Sequence, residues 1–427
     1  MANIINKNYA KLKEISTYFT EETLKNILHI IHNGKTVNIL SWDFFSPNLK
    51  GDNYLSIINK VKVTSAIEGK EVELNLVVKS LPTNISRRNA YRSPEFFRNE
   101  IAFYTKIVPK FEEFLKEKNQ LQLLCIPRHY SSISDGDNDY IALEDISASG
   151  YKTVDRRTCF DKDLCMIILR ALAKFHAISF ALKDQKKETF MEIIEHVNET
   201  YFSYKHWNWY KNFHKRLIDI SKNALAMEYP GSQAEQKFNS YKPNDLYQKG
   251  IDLCNRKYHS TSVITQGDSW IPNYMINKTT QRKVVMLDFQ LARCTSPVLD
   301  VSPFIYVCTE RSIWYENFNI LLKFYYDELA NAIHLLGSNP EKVYSWDTFM
   351  NEVKKKFIFG IIYAMELIPM SLLDPSEAFE LDVTNNNINN EEDIDIANIW
   401  TLSNIKSKDG RLRLASVIVH GVQNGFL

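Results

Sequence analysis

One stretch near residue 270 constrains the fold and the chemistry of this chain more than any other. It reads Gln266-Gly267-Asp268-Ser269-Trp270-Ile271-Pro272-Asn273, and the apolar run Val284-Val285-Met286-Leu287 then leads into Asp288. In phosphoryl transfer one carboxylate accepts the proton of the attacking hydroxyl, while an Asn and a second Asp hold the Mg²⁺ that bridges the nucleotide phosphates. The protein-kinase motifs H-R-D-x-x-x-x-N and D-F-G present these groups in the same order. The pattern therefore predicts Asp268 as the base, and Asn273 and Asp288 as metal ligands.

The spacing decides between this interpretation and a simpler one, a solvated turn followed by an ordinary buried strand. Asp268 and Asn273 are five positions apart, and the strand delivers Asp288 15 positions after Asn273. A lone D-x-x-x-x-N pattern would favour the simpler interpretation. The second Asp, in the right order, favours the kinase interpretation.

A lysine and a glutamate nearer the N-terminus would complete such a site. Lys79 ends an alternating strand in which Leu76 and Val78 share the opposite face, so its side chain can point into a cleft. Glu100 lies on the apolar face of a helix that Ser93-Pro94-Glu95 begins. Because a carboxylate on a buried face needs a cationic partner, we expect Lys79 and Glu100 to form the strand-lysine and helix-glutamate pair of kinases. A surface lysine and a borderline glutamate would explain either residue alone.

Weaker signals mark the remaining contacts of a nucleotide. The segment from Gly51 to Ser56 lies between strands, where small residues can expose backbone N–H groups to phosphates, although an ordinary hairpin turn explains it equally well. Glu144 and Ile146 lie where a kinase fold would present backbone groups to adenine. This expectation rests on position along the chain and not on side-chain chemistry.

Composition excludes several other classes of protein. With 44% hydrophobic and 24% charged residues, the chain is typical of a globular protein. Its 52 Lys+Arg and 51 Asp+Glu give no reason to expect nucleic acid or a membrane as a partner. The six cysteines are scattered without a C-x-x-C pair, which favours reduced thiols in a cytoplasmic protein over a disulfide framework or a zinc site. The oligomeric state stays open.

The order of predicted elements indicates a two-lobed α+β fold of the protein-kinase type, with strands first and helices after. We expect a helix over 8–33, a strand from Leu55 to Val63 with an irregularity near Ile58, a strand from Val72 to Val78, a helix from Ser93 to about Val108, and mostly helices after residue 161. The N-lobe, with an antiparallel sheet, would span 1–146, and the mostly helical C-lobe would span 147–427. The Asn-rich, acidic segment 384–393 is predicted to be a surface insertion loop.

Three further features have alternative interpretations. His176 is best explained as a helix histidine with a structural hydrogen bond. Asp300 is either a helix N-cap or a buried carboxylate that braces the catalytic loop. The aromatic cluster between Tyr201 and Phe213 is explained equally well as an apolar acceptor pocket or as the hydrophobic face of a helix.

These motifs together resemble the insect ecdysteroid-kinase-like family, which is related to choline kinases and aminoglycoside phosphotransferases. The resemblance covers about residues 35–425. The segments that carry it are Phe97-x-x-Glu100-x-x-Phe103-Tyr104, Leu143-Glu144-Asp145-Ile146, Leu172-Ala173-Lys174-Phe175-His176-Ala177, Gly267-Asp268-x-Trp270, and Leu287-Asp288-Phe289-Gln290 with Ser296-Pro297 and Asp300. The resemblance implies a protein-kinase-like fold, ATP and Mg²⁺ as cofactors, and phosphate transfer to a hydroxyl of a small molecule. In the ecdysteroid case that hydroxyl belongs to a steroid.

Two departures from the family pattern keep other functions open. Gln266 stands where the family usually has His, and Pro272 stands where a polar residue commonly precedes the metal-binding Asn. A nucleotide- or ligand-binding pseudokinase is therefore one alternative, and a choline- or ethanolamine-type kinase is another. The chain has no G-x-G-x-x-G loop and no Ala-Pro-Glu after Asp288, which argues against a protein kinase. No acidic residue lies between Tyr201 and Leu217, which favours a steroid over a quaternary amine as acceptor.

Overall fold

The computed structural model describes residues 7–45, 55–280, 283–373 and 394–427. Gly51 and the segment 384–393 lie outside the described residues, so what the sequence predicts for them stays a prediction.

A five-stranded antiparallel sheet forms the N-terminal part of the fold, with the strand order β1-β2-β3-β5-β4. Its strands are β1 (Val37–Phe45), β2 (Ile57–Ile67), β3 (Lys70–Ser80), β4 (His129–Ile133) and β5 (Tyr140–Glu144). The turn between β2 and β3 places both Glu68 and Gly69 at positive φ, the geometry that matches the twist of a tight hairpin. One face of the sheet buries Trp42, Val63 and Leu76 against the N-terminal helices. The other face carries Lys79.

Two strand predictions need correction. Strand β1 was not predicted, because its register with β2 shifts between Ile39 and Ser41 and this bulge breaks the apolar alternation. The irregularity expected near Ile58 is wrong. Strand β2 pairs with β3 without a break, and Ile58 lies opposite Lys79, on the face away from Val61.

Helices flank the sheet at α1 (Tyr9–Ile15), α2 (Glu21–Ile31), α3 (Ile85–Tyr91), α4 (Ser93–Ala102) and α5 (Val108–Glu117). The single helix predicted over 8–33 is two helices, because Thr20 caps a new helix by a reciprocal side-chain contact with Thr23. The helix expected to end near Val108 continues to Glu117. A π-helical turn over Phe103–Ile107 precedes Pro109, which then occupies the first turn of α5, where a missing N–H is tolerated.

The remainder of the fold is mostly helical. Its helices are α6 (Lys162–Gln185), α7 (Lys187–Ile194), α8 (Trp207–Glu228), α9 (Gln233–Asn239), α10 (Pro243–Cys254), α11 (Val298–Cys308), α12 (Arg311–Leu335), α13 (Pro340–Val343), α14 (Trp346–Lys356), α15 (Ile358–Ser371) and α16 (Lys408–Gln423). Two short two-stranded sheets pair β6 (Val263–Thr265) with β9 (Arg293–Thr295) and β7 (Tyr274–Ile276) with β8 (Val284–Met286). Within the described residues, only α6 is long and apolar enough to cross a membrane by composition, and most of it is buried in the core.

Close packing of α11 against α15 generates a prediction about stability. A Cβ added at Gly360 would lie 2.6 Å from the backbone of Ser302. We expect Gly360→Ala to lower the free energy of unfolding by about 1–3 kcal/mol, because the helices cannot both keep their positions. Helix propensity alone predicts the opposite sign, a gain of about 1 kcal/mol. Chemical denaturation measures the change, with Asn331→Ala, at an exposed position of α12, as the control that reports the gain from helix propensity alone. A stabilised Gly360→Ala variant would contradict the close contact.

Candidate active site

The loop between β6 and the turn at Ile271–Asn273 is shaped by a glycine. Gly267 has φ +86°, and a Cβ at this position would lie 1.9 Å from the carbonyl oxygen of Leu291. Both the backbone angle and this close approach therefore require glycine. Pro272 lies within the 3₁₀ turn Ile271–Asn273, where its fixed φ is compatible with the backbone.

A buried carboxylate on α11 holds this loop in place by hydrogen bonds. Asp300, in the first turn of α11, is fully buried and accepts hydrogen bonds from the backbone N–H groups of Gln266 (2.7 Å) and Gly267 (2.9 Å). His176 Nε2 lies 3.0 Å from Asp300 Oδ2, and Nδ1 lies 2.8 Å from the hydroxyl of Tyr325. Asp300 is thus the brace and not the N-cap. His176 has the structural hydrogen bonds expected for it.

Gln266 connects the loop of Asp268 with the loop that carries Asp288. Its Nε2 donates to the carbonyl oxygens of Leu287 (2.9 Å) and Asp288 (3.0 Å), and its Oε1 accepts from the N–H of Asp268 (2.9 Å). Glutamine at this position therefore satisfies three backbone groups that lie next to the candidate catalytic residues.

Asp268 and Asn273 lie in direct contact. Asn273 Nδ2 donates to the carbonyl oxygen of Asp268 (2.8 Å) and to its Oδ2 (3.0 Å). Burial, and after it the neighbouring charge of Asp288, raise the pKa of Asp268 to about 7.

The structure also brings Lys79, Glu100 and Asp288 together. Lys79 Nζ lies 2.8 and 3.1 Å from the two oxygens of Glu100 and 3.4 Å from Asp288 Oδ1. Burial opposes the charge on Lys79, but Asp288 and Glu100 outweigh it and raise the pKa of the lysine, so the lysine is charged. Burial raises the pKa of the Glu100 carboxyl, and the charge of Lys79 opposes this rise. Asp288 has φ +58°, a left-handed conformation that Asp tolerates better than most residues and that is often found at functional sites.

The residues predicted for nucleotide contacts have different positions. Ser56 lines the same cavity as Asp268, Asn273 and Asp288. Ile146 packs with Tyr151 and Val285, next to the half-buried Met275 and Leu287, in an apolar cluster. The side chain of Glu144 is near the N–H of Arg128 and lies on the sheet face opposite to Lys79, so only its backbone could serve the cleft.

Sequence reasoning missed two residues that hold the site in place. Asn99, on α4, donates to the carbonyl oxygens of Gln290 (3.0 Å) and Ala292 (2.8 Å), just after Asp288. Arg293 is buried and pairs with Glu199 at 3.0 Å. Asn99 could have been found, because a polar residue next to Glu100 on a buried part of the helix needs hydrogen-bond partners. No local pattern pointed to Arg293.

A cavity of ≈ 120 Å³ opens beside Asp268. Aromatic and aliphatic side chains line most of it. Besides Asp268 and Asp288, a third carboxylate lines it, that of Glu366 on α15. Of the aromatic cluster that the sequence singled out, Tyr201 and Trp209 face this cavity, while Tyr210 and Phe213 are buried in the helix packing. Part of the cluster therefore lines a cavity, as expected for an acceptor pocket, and part forms the hydrophobic face of a helix.

Comparison with known families identifies the chain. The sequence profile of the ecdysteroid kinase-like family matches residues 50–338. Because the match spans more than half of the chain, the protein belongs to this family. It is a small-molecule kinase, a phosphotransferase that acts on hydroxyl groups, with the two-lobed α+β fold predicted from the sequence. No curated protein sequence matches the chain significantly.

Solved structures with similar folds come from related classes of enzyme. A putative aminoglycoside phosphotransferase from Ralstonia eutropha is 12% identical, with 94% of this chain and 98% of that chain covered and a TM-score of 0.41. An ethanolamine kinase from Plasmodium vivax is 10% identical, with coverage of 89% and 81% and a TM-score of 0.38. A choline kinase from Cryptosporidium parvum is 10% identical, with coverage of 91% and 88% and a TM-score of 0.37.

The contacts of Gln266 generate a prediction about the loop of Asp268. Gln266→Met keeps the side-chain volume but leaves the groups on Leu287, Asp288 and Asp268 without their partner, so we expect a loss of about 1–3 kcal/mol in the free energy of unfolding and a lower turnover. Gln266→His, the usual family residue, should retain more of both. Denaturation and steady-state kinetics on the two variants measure this difference. Equal stability and equal turnover of the two variants would show that the hydrogen bonds of Gln266 contribute to neither.

Proposed function

We propose that this protein transfers the γ-phosphoryl group of ATP, with Mg²⁺, to a hydroxyl of a lipophilic acceptor. The observation that carries the proposal is that residues distant in the sequence lie together at one site. Asp268, Asn273 and Asp288 line one cavity, and Lys79, paired with Glu100, reaches Asp288 at its edge. We further propose that residues 1–146 form the nucleotide-binding lobe and residues 147–427 the lobe with the catalytic loop and the acceptor site.

The nucleotide would lie between the two lobes. Lys79 is ionised and positioned to contact phosphate oxygens, while Glu100 holds it in place. The backbone N–H of Ile146, at the start of a 3₁₀ turn, has no partner within that turn and would serve adenine. The apolar cluster of Ile146, Val285 and Leu287 would pack against the base. Ser56 would contact the phosphates.

The protein groups beside Asp288 fit a magnesium ion. Among the described residues Asp288 Oδ1 accepts no hydrogen bond, although Lys79 Nζ lies 3.4 Å away. The amide nitrogen of Asn273 faces Asp268, which leaves its oxygen for a cation. No group of three or more His, Cys, Asp or Glu in the described chain could enclose a metal. Mg²⁺ commonly takes only one or two carboxylates and completes its shell with waters and phosphates, so this set suffices. When bound, it neutralises charge on the phosphates.

Asp268 would act on the acceptor. Asn273 fixes Asp268 Oδ2, and Oδ1 would accept the proton of the acceptor hydroxyl while the hydroxyl oxygen bonds to the γ-phosphorus. The bond between this phosphorus and the bridging oxygen breaks, and ADP leaves. The bracing of Gly267 by Asp300 keeps the carboxylate in place for this step.

The departures from the family pattern support activity over a pseudokinase. Gln266 bonds three backbone groups of the site, and Pro272 fits its turn without displacing Asn273. For the acceptor, we propose an ecdysteroid or a related alcohol on the basis of the family. The sequence argument against a cation needs revision, because Glu366 reaches the cavity from α15. This observation favours a choline- or ethanolamine-type acceptor as the second candidate.

Removal of the proposed base tests the catalytic assignment. We expect Asp268→Asn to lower turnover by about 10²–10⁴-fold, because the acceptor proton then has no base. ATP affinity should stay nearly unchanged, since Lys79 and Asp288 remain. Asp252→Asn, an exposed site on α10, serves as the control. Turnover near the wild-type rate in Asp268→Asn would remove Asp268 from this role.

Removal of the proposed metal ligand has a different signature. We expect Asp288→Ala to abolish most of the enhancement that Mg²⁺ gives to ATP binding, because the ion loses its carboxylate ligand. Calorimetric titration of ATP with and without Mg²⁺ measures the enhancement for wild type, Asp288→Ala and Asp268→Asn. Only Asp288→Ala should lose it. An enhancement that survives in this variant would show that the ion binds elsewhere.

A further inference from the structure

Glu366 lies in the proposed acceptor cavity, held by two tyrosines. Its Oε1 accepts a hydrogen bond from the hydroxyl of Tyr201 (2.7 Å), and its Oε2 accepts one from the hydroxyl of Tyr210 (2.6 Å). Tyr201 comes from the segment before α8, Tyr210 from α8 and Glu366 from α15. The carboxylate is therefore fixed in one orientation by parts of the chain that are distant in sequence.

No cationic side chain balances this carboxylate. Among the described residues, no lysine, arginine or histidine lies within ion-pairing distance of Glu366, and Arg293, a buried cation of this lobe, pairs with Glu199. Burial raises the pKa of Glu366, and the two tyrosine hydroxyls oppose this rise. Burial of a carboxylate without a cation is costly unless its oxygens are hydrogen-bonded.

The carboxylate has capacity for a further partner. Its two oxygens offer about four acceptor positions, of which the tyrosine hydroxyls occupy two. The cavity walls around it are apolar or aromatic, including Phe96, Trp270 and Met370. Asp268, at the same cavity, has a separate task on the hydroxyl to be phosphorylated. A ligand that fills the cavity thus meets Glu366 within an apolar wall, apart from Asp268 and Asp288, which have their own proposed tasks.

We propose that Glu366 is a specificity residue that binds a hydrogen-bond donor on the acceptor, distinct from the hydroxyl that Asp268 activates. The inference rests on the proposed function. It defines the acceptor as an apolar skeleton with at least two polar groups, one a hydroxyl and the other an ammonium or a second hydroxyl. Both donors satisfy the carboxylate, and the test distinguishes them.

Binding without nucleotide tests this directly. Trp209, Trp270 and Trp400 line the cavity, so their fluorescence reports on occupancy. The probes are octanol, octanediol and amino-octanol, with the hexyl and decyl series to vary the reach. In wild type we expect the diol or the amino alcohol to gain affinity relative to octanol, and Glu366→Gln to reduce that gain about ten- to one-hundred-fold. Dividing the affinity gain in wild type by the gain in Glu366→Gln cancels the difference in hydration between the probes.

The matched control is Glu341→Gln. Glu341 also accepts a tyrosine hydroxyl, from Tyr326, but lies outside the cavity on α13. It should leave the preference unchanged. Thermal melting checks that each variant is folded, and if Glu366→Gln does not fold, Tyr210→Phe replaces it. Loss of the Tyr210 hydroxyl, which orients Glu366, should reduce the preference severalfold. A larger gain for amino-octanol identifies an ammonium, and a larger gain for the diol identifies a hydroxyl.

Two results would overturn the inference. One is a wild-type protein that gains nothing from the second donor at any chain length. The other is a preference that persists in Glu366→Gln, or in Tyr210→Phe where that variant replaces it. Because binding is measured without ATP, a protein that shows the preference but transfers no phosphate would contradict only the proposed function. Phosphate transfer without the preference would contradict only the role of Glu366.

Discussion

The carboxylate of Asp300 is the constraint on which the rest of the site depends. It is fully buried, and it receives the N–H groups of Gln266 and Gly267 while His176 contacts it from α6. These contacts fix the backbone one and two residues before Asp268. Gly267 approaches the carbonyl of Leu291 so closely that no side chain would fit between them, which restricts the loop further. Core packing therefore sets the position of the proposed base.

A second set of contacts ties the helix of Glu100 to the loop of Asp288. Asn99 bonds the carbonyl oxygens of Gln290 and Ala292 and accepts from the N–H of Asn198. Lys79 contacts both Glu100 and Asp288. Ion pairs at 2.8 and 3.4 Å thus link the lysine to the glutamate and to the proposed metal ligand. Because α4 carries both Asn99 and Glu100, the position of this helix is coupled to the geometry of the proposed phosphate site.

The sequence alone predicted the parts of the site that are local in the chain. Asp268, Asn273 and Asp288 lie in one short segment, and alternation placed Lys79 on the face that meets Glu100. Contacts between distant segments could not be predicted: Asn99 meets Gln290, and Glu366 reaches the cavity from α15. Strand β1 was not predicted, because its bulge at Leu40 interrupts the alternation of apolar and polar residues. The two-lobed fold was predicted, because strands precede helices and the motifs resemble a known family.

The most direct test of the central claim is a transfer assay. The purified protein is incubated with γ-labelled ATP, Mg²⁺ and a panel of ecdysteroids, choline-like amines and plant-derived alcohols, and labelled products are identified by mass spectrometry. Asp268→Asn serves as the blank. The account predicts at least one acceptor that gains a single labelled phosphate on a hydroxyl, in wild type only and only with Mg²⁺. A protein that binds ATP with Mg²⁺ but labels no acceptor, or labels it equally well in Asp268→Asn, would contradict the account.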